Sequence, residues 1–242
     1  MSLLQVEALD VRYGLFQAVR DVSFDVDPGE IVAFIGANGA GKTTLFRAIA
    51  GAHPPAAGRV LLAANDVTSV PDYQRVRQGI ALVPEGRRLF ADLSVAENLA
   101  LSRAAGRKGK WDERSVLSVF PNLTPHLKQK SGTLSGGEQQ AAAIARALIT
   151  NPDVLLLDEV SLGLSPAAVE RVYASIRQLV NTDTAILLVE QDLNRALSVA
   201  TRVICVFEGR IVAQGAVGDF TRQQIMNAYF GPRHAQWRVA AP

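Results

Sequence analysis

The segment Gly36–Thr43 constrains the fold of this chain more than any other. Its residues follow the pattern G-x-x-x-x-G-K-[ST], and they lie between an apolar run at Ile31–Ile35 and a helical pattern at Thr43–Ala50. Glycines let the backbone turn several N–H groups toward phosphate oxygens, and the helix adds the positive end of its dipole. Lys42 is placed to contact the β- and γ-phosphates, and the Thr43 hydroxyl is placed to hold Mg²⁺. The segment therefore predicts a phosphate-binding loop between a buried strand and a helix.

Strands and helices alternate along the rest of the chain. Four apolar runs are typical of strands buried on both faces, and two segments have helical spacing. The runs are Ile80–Val83, Val154–Leu157, Ala185–Val189 and Val203–Phe207, and the helical segments are Ala141–Leu148 and Ala167–Leu179. This alternation predicts an α/β fold with a parallel sheet covered on both faces. The block Asp92–Lys130 is mainly helical or irregular, which indicates an insertion on the sheet rather than a separate domain.

Composition and charge exclude several classes of protein. Hydrophobic residues make up 48% of the chain and charged residues 20%, which excludes global disorder. With 25 Lys and Arg against 23 Asp and Glu, the net charge of +2 argues against a dedicated nucleic-acid binder. The single Cys205 cannot form an internal disulfide, which favours a reducing compartment. No uncharged run is long enough to cross a membrane, so we expect a cytoplasmic protein that reaches a membrane only through a partner.

A second chemical signal is the acidic end of the run Val154–Glu159. An apolar strand there is followed by two adjacent carboxylates, Asp158 and Glu159. In enzymes with a phosphate loop, an aspartate at this place holds Mg²⁺. The glutamate after it would lie near the γ-phosphate and polarise the attacking water. Together with the phosphate loop, the pair predicts nucleotide hydrolysis.

A third signal is the segment Leu134–Gln140, which reads Leu-Ser-Gly-Gly-Glu-Gln-Gln and precedes a helical run. Ser135 is a good N-cap, and Gly136 and Gly137 leave amide groups open at the start of a helix. These residues fit a second anion-binding surface, and they fit an ordinary helix cap equally well. The residues alone leave both interpretations open.

In this order, the three segments resemble those of the nucleotide-binding subunits of ABC transporters, and the resemblance covers nearly the whole chain. It implies an α/β fold of the P-loop NTPase class: an ABC ATPase core with an antiparallel β-subdomain and an inserted helical subdomain. It also implies a single nucleotide-binding domain over residues 1–242. The core with its β-subdomain would cover about 1–90 and 150–242, and the helical subdomain about 91–149, ending in the helix that follows Ser135.

The resemblance implies ATP as the substrate and Mg²⁺ as the cofactor. The implied mechanism is that two such subunits close head to tail around two ATP molecules. Each ATP would be held by the phosphate loop of one subunit and by the Leu134–Gln140 segment, here called the signature segment, of the other. Hydrolysis would reopen the pair, and this motion would drive a membrane permease. The ATP-binding residues implied for this chain are Tyr13, Gly36, Asn38, Gly39, Gly41, Lys42, Thr43, Thr44, Ser135, Gly136 and Gly137.

Other roles follow from the resemblance position by position. Tyr13 lies where the family has an aromatic residue that stacks on adenine; the alternative is a strand tyrosine that packs on the β-subdomain. Ser161–Leu164, here called the contact loop, lies where the family has a loop at the subunit interface. The implied Mg²⁺ ligands are Thr43, Asp158 and Glu85, and the implied catalytic residues are Glu159, Gln191 and Glu85.

Two of these residues depart from the family pattern. Glu85 occupies the place where most ABC ATPases have a glutamine that reaches Mg²⁺ and the permease contact. Gln191 occupies the place of a histidine that contacts the γ-phosphate. A glutamine can donate a hydrogen bond but cannot carry a proton. The departures therefore predict a less active site on this chain's own phosphate loop.

The same departures narrow the resemblance to one subfamily. The segments around Glu85, Ser161 and Gln191 are similar to those of the LivF-like ATPases of branched-chain amino acid importers, whose relatives move other hydrophobic amino acids, amides or urea. This implies membrane permease subunits as partners, a second ATPase subunit or a second copy of this chain, and indirectly a solute-binding protein. The implied location is the cytoplasmic face of a prokaryotic inner membrane, and no nucleic acid is expected.

Two other functions stay open on the sequence alone. A non-transport ABC ATPase acting on nucleic acid would use a basic patch such as the one at Arg103, Arg107, Lys108 and Lys110. A nucleotide-binding regulatory subunit with little activity would fit Glu85 and Gln191, although Glu159 argues against it.

Overall fold

A computed structural model describes residues 2–180 and 182–230. The strands in this part are β1 Leu4–Tyr13, β2 Phe16–Val26, β3 Ile31–Ile35, β4 Ala57–Leu62, β5 Asn65–Asp66, β6 Ile80–Val83, β7 Val154–Asp158, β8 Ala185–Val189, β9 Arg202–Phe207 and β10 Arg210–Ala216. The α-helices are α1 Lys42–Ile49, α2 Asp72–Gln78, α3 Val95–Ala105, α4 Glu113–Val119, α5 Gly136–Leu148, α6 Pro166–Leu179, α7 Leu193–Leu197 and α8 Arg222–Phe230. Short 3₁₀ turns cover Pro121–His126, Ser131–Thr133 and Val217–Asp219.

The larger sheet has six strands in the order β10-β9-β3-β8-β7-β6. Its strands from β9 to β6 run parallel, and every residue of β3, β7 and β8 is buried. Alternate side chains of β7 enter different cores: Leu155 packs with α5 and α6, whereas Leu156 packs with α1 and the smaller sheet. The predicted parallel sheet with two covered faces is confirmed; the antiparallel strand β10 at its edge was not predicted from the chain's alternation.

The smaller sheet is antiparallel, with the order β2-β1-β4-β5. Leu4 and Val6 of β1 pair with Val26 and Phe24 of β2, and all four side chains are buried in the core shared with α1. A tight turn joins β1 and β2, so that Tyr13 lies directly opposite Phe16 at the tip of this hairpin. The antiparallel β-subdomain expected from the family resemblance is thus present, and it places two aromatic rings beside the phosphate loop.

The helical block lies between β6 and β7. Helices α3, α4 and α5 share one core with α6 and the larger sheet, in which Leu99, Val116 and Ile144 are fully or almost fully buried. This agrees with the predicted insertion, while the exact division at residues 91 and 149 stays a prediction. Residues 231–242, which the predicted domain also includes, lie outside the described part. No helix of the described residues is long and apolar enough to span a membrane.

The sheet brings the candidate site residues to one edge. The phosphate loop follows β3, Asp158 ends β7, and Glu85 and Gln191 come just after β6 and β8. Parallel strands have their carboxyl ends at the same edge of the sheet, and open α/β sheets bind ligands at that edge. Residues far apart along the chain therefore meet there.

Candidate nucleotide site

Two positions of the phosphate loop require glycine because other backbone atoms pack closely against them. A Cβ atom on Gly36 would lie 2.1 Å from the carbonyl oxygen of Val206, and one on Gly41 would lie 2.3 Å from that of Ala18. Gly41 also has a φ of +101°, which L side chains rarely adopt. It immediately precedes helix α1, whose first residue is Lys42. The loop thus needs glycine at these positions for its own geometry.

Lys42 is held inside its own loop. Its ammonium group donates hydrogen bonds to the carbonyl oxygens of Gly36 at 2.6 Å and Ala37 at 3.0 Å. Burial lowers the pKa of Lys42, and the nearby charges of Glu159 and Asp158 partly oppose this. The ammonium is therefore placed near two carboxylates and bonded to two backbone carbonyls, an environment that a phosphate chain with a divalent cation complements.

Asp158 and Thr43 form a pair of oxygen donors at the floor of the site. The Thr43 hydroxyl donates to Oδ1 of Asp158 at 3.0 Å. Asp158 is 2% exposed, and its pKa is raised to about 6, mainly by this burial. The charges of Glu159 and Glu85 contribute to the rise, while the Thr43 bond and Arg47 partly oppose it. A hydroxyl and a carboxylate crowded by other carboxylates are oxygen ligands of the type that Mg²⁺ prefers.

Glu159 and Gln191 are joined directly. The Gln191 side-chain amide donates to Oε2 of Glu159 at 2.7 Å, and the Glu159 backbone N–H donates to the carbonyl oxygen of Val189 at 3.0 Å. Glu159 has a φ of +49°. A non-glycine residue in this region costs about 1–3 kcal/mol, and such residues gather at functional sites. The two side chains are thus held together at the carboxyl ends of β7 and β8.

One cavity of about 540 Å³ collects most of the candidate residues. Of the predicted set, Tyr13, Asn38, Gly39, Gly41, Lys42, Thr43, Thr44, Glu85, Glu159 and Gln191 line it. Gly36 and Asp158 are not part of its lining but bond to Lys42 and Thr43, which are. Phe16, Ala18 and Leu162 also line the cavity and were not predicted. The position of Phe16, close to Tyr13 across a short turn, was the one sequence signal that pointed to it.

The Tyr13 ring lines the cavity and also packs against another aromatic ring. Its centroid lies 4.4 Å from that of the His53 ring, with the ring planes 35° apart. His53 is itself held by a hydrogen bond of 3.0 Å between Nε2 and the carbonyl oxygen of Arg12. Tyr13 remains 41% exposed. The tyrosine therefore packs on its own subdomain through His53 and still lines the cavity, so the two interpretations of this residue are compatible.

The signature residues lie apart from this cavity. Ser135 caps α5, accepting from the backbone N–H of Glu138, whose carboxylate accepts in return from the Ser135 backbone and hydroxyl at 2.8 and 2.7 Å. A Cβ on Gly137 would come within 2.7 Å of Ala168, and one on Gly136 within 3.1 Å of the Arg87 guanidinium. Ser135, Gly136 and Gly137 do not line the 540 Å³ cavity. The helix cap is thus observed, and anion binding at this helix start stays a prediction.

A family profile described as ABC transporter matches residues 19–161, from within β2 through the phosphate loop, signature segment and acidic pair. The chain belongs to the ABC transporter family. The predicted family and fold class are thereby confirmed, and as an ABC ATPase the protein binds and hydrolyses ATP.

Individual relatives of this ABC ATPase agree over nearly its full length. The high-affinity branched-chain amino acid transport ATP-binding protein BraG of Pseudomonas aeruginosa is 40% identical over 232 residues, covering 95% of this chain and 100% of BraG. The probable branched-chain amino acid transport ATP-binding protein LivF of Archaeoglobus fulgidus is 35% identical over 225 residues, covering 92% of this chain and 95% of LivF. A nucleotide-free ATP-binding cassette from an ABC transporter superposes with a TM-score of 0.83 at 26% identity, covering 98% of both chains.

Proposed function

We propose that this ABC ATPase powers an importer of branched-chain amino acids. The observation that carries the ATP-hydrolysing part of the proposal is the cavity that Lys42, Glu159 and Gln191 line together with Tyr13. The similarity to BraG and LivF over nearly the whole chain supports the choice of amino acid. Other hydrophobic amino acids, amides and urea are the competing substrates.

The triphosphate is proposed to lie along the phosphate loop, with the adenine ring beside Tyr13. Lys42 would then exchange its bonds to two neutral backbone carbonyls for bonds to negatively charged phosphate oxygens, which attract the ammonium more strongly. Thr43, Asp158 and Glu85 would hold Mg²⁺, which neutralises charge on the phosphates when bound. Asn38, Gly39 and Thr44 complete the lining on the side of the loop.

Glu159 is proposed to orient the attacking water and accept its proton. Its carboxylate already accepts one hydrogen bond, from Gln191, and its other oxygen is available for a water. Gln191 can position this carboxylate or donate to phosphate, but it cannot take up a proton as histidine does. We therefore propose that the site on this chain's own phosphate loop turns over slowly.

The signature segment is proposed to complete the site of a second ATPase subunit. Ser135 and the amide groups of Gly136 and Gly137 begin a helix of 13 residues, whose positive end suits a γ-phosphate from a neighbouring subunit. The second subunit is either another copy of this chain or a different ATPase. The pair would act on membrane permease subunits, at the cytoplasmic face of the inner membrane, with a solute-binding protein delivering the substrate.

The charge pattern of the helical block favours this function over one on nucleic acid. Arg107 pairs with Asp153 at 2.5 Å and Lys110 lies 3.7 Å from Asp183. Two cations of the predicted basic patch are therefore engaged by carboxylates of the same chain, which weakens the field that a phosphate backbone would meet.

A test uses the complex of this chain with its permease subunits in proteoliposomes. Glu159→Gln is expected to keep ATP affinity and to lower hydrolysis by about 10²–10⁴-fold, because it removes the group that orients and deprotonates water. Glu170→Gln, an exposed change on α6, is the matched control. Uptake of labelled leucine that stops with Glu159→Gln supports the proposal. Uptake of urea or an amide with no uptake of leucine would overturn the substrate, and hydrolysis at the parent rate would overturn the role of Glu159.

A further inference from the structure

Glu190 has a buried carboxyl group, and none of the roles described above involves it. It follows strand β8, directly precedes Gln191 and is 2% exposed. Burying a carboxylate is unfavourable unless other groups donate hydrogen bonds to it. An apolar side chain at this place would pack without that penalty, so the carboxyl group must contribute something through its bonds.

One hydrogen-bond partner of Glu190 lies in the contact loop. The Ser161 hydroxyl donates to Oε2 of Glu190 at 2.8 Å, and both residues are buried. The buried Tyr173 of α6 is close enough that the charge of Glu190 adds to burial in raising the tyrosine pKa. Burial also raises the pKa of Glu190, and the hydroxyl groups of Tyr173 and Ser161 act in the opposite direction. The carboxyl group thus joins the contact loop to the end of β8.

These contacts close a ring around the catalytic carboxylate. Ser161 is two residues after Glu159 in the chain, and Gln191 is the residue directly after Glu190. One side of the ring is the Ser161–Glu190 bond, and the other is the 2.7 Å bond from Gln191 to Glu159. Short stretches of backbone connect the two bonds at either end. A displacement of the contact loop must therefore alter one of these bonds or move both segments together.

We propose that Glu190 is a positioning residue that couples the contact loop to the carboxylate of Glu159, through Ser161 on one side and Gln191 on the other. The proposal rests on the proposed role of Glu159 in hydrolysis. A cavity of about 300 Å³ borders the ring and is lined by Glu159, Ser161–Leu164 and Glu190–Asp192, with Arg195. A partner subunit that presses on the contact loop would therefore act on the catalytic carboxylate through this ring.

The first test is Ser161→Ala, which removes one bond of the ring and leaves every charged group in place. We expect hydrolysis to fall by about 10- to 100-fold, because a small misplacement of a catalytic group has an effect of this size. The affinity for ATP should stay within about twofold, since Ser161 does not line the cavity that holds the proposed nucleotide. Ser175→Ala is the matched control: that serine is similarly buried and donates to the carbonyl oxygen of Val119 at 3.0 Å, outside the ring.

The second test separates positioning from a general effect on folding. In a Gln191→Ala background, Ser161→Ala should lower the turnover number no further, because the ring is already open. Glu190→Gln keeps an oxygen that can accept from Ser161 and should retain most of the activity, whereas Glu190→Met should resemble Ser161→Ala. If Glu190→Met fails to fold, the Ser161 and Gln191 variants still decide between the two effects.

The results distinguish this inference from the proposed function. Parent turnover in Ser161→Ala, while Glu159→Gln is inactive, would overturn the positioning role alone. Independent, multiplying effects of Ser161→Ala and Gln191→Ala would also overturn it, as would equal losses in Ser161→Ala and Ser175→Ala. Parent turnover in Glu159→Gln would instead remove the proposed catalytic carboxylate, and with it the basis of this inference.

Discussion

Asp158→Asn is expected to stabilise the nucleotide-free protein at alkaline pH while abolishing Mg²⁺-dependent hydrolysis. Asp158 is buried next to Glu159 and Glu85, and its pKa is raised to about 6. An asparagine removes the buried charge, and its amide oxygen can still accept the hydrogen bond from Thr43. The substitution would thus remove a metal ligand. It would also remove a negative charge that is unfavourable without the metal and that the bound metal offsets.

The expected gain in the free energy of unfolding follows from the pKa of Asp158. A rise from 3.8 to about 6 corresponds to about 3 kcal/mol of unfolding free energy, at about 1.4 kcal/mol per pKa unit. Because the pKa is higher in the folded state, the penalty is absent well below pH 3.8, grows between pH 3.8 and about 6, and is constant above that range. The variant should therefore gain the whole of this, about 3 kcal/mol or about 6–12 °C in Tm, at pH 8, and about half of this free energy at pH 5.

The assay is thermal unfolding in EDTA at pH 5 and pH 8. Asp27→Asn, at an exposed position, is the control for the loss of one negative charge. Addition of Mg²⁺ and ATP should reduce this difference, because the variant lacks a metal ligand and therefore gains less stability from binding than the parent does. A variant that melts at or below the parent temperature at pH 8, or a difference that is the same at both pH values, would refute this account of Asp158.

Two further predictions concern the contact of Tyr13 with the nucleotide base and the end of helix α1, which follows the phosphate loop. Tyr13→Ala should weaken ATP and GTP alike by about 1–3 kcal/mol in calorimetric titration, since stacking is tolerant of base identity; equal weakening of tripolyphosphate, which has no base, would contradict stacking. Arg75 is 1% exposed and donates to the carbonyl oxygens of Ala48 and Ile49, near the end of α1, at 2.8 and 2.6 Å. Arg75→Met should lower the free energy of unfolding by about 3–5 kcal/mol in urea titrations, with partial recovery in Arg75→Lys, because buried carbonyls lose their donor; a loss below about 1 kcal/mol would contradict this.

Contiguous segments carried most of what the sequence could predict. The phosphate loop is recognisable because its chemistry lies in neighbouring residues, and two of its glycines, Gly36 and Gly41, are required by close contacts with the backbone of Val206 and Ala18. Buried strands such as Val154–Asp158 were recognisable because a strand covered on both faces must be apolar at nearly every position. The family, the fold class and the ATPase activity were therefore accessible from the sequence alone.

The tertiary structure decided which side chains from distant segments touch. Leu162 belongs to the cavity and His53 supports Tyr13, and no local pattern marked these two roles. The bonds from Gln191 to Glu159 and from Ser161 to Glu190 join residues about thirty positions apart. Their partners depend on the pairing of β7 with β8 and on distances of a few tenths of an ångström, because a hydrogen bond weakens steeply outside a narrow range of length and angle. Residue types and spacing do not specify such distances; the packed sheet does.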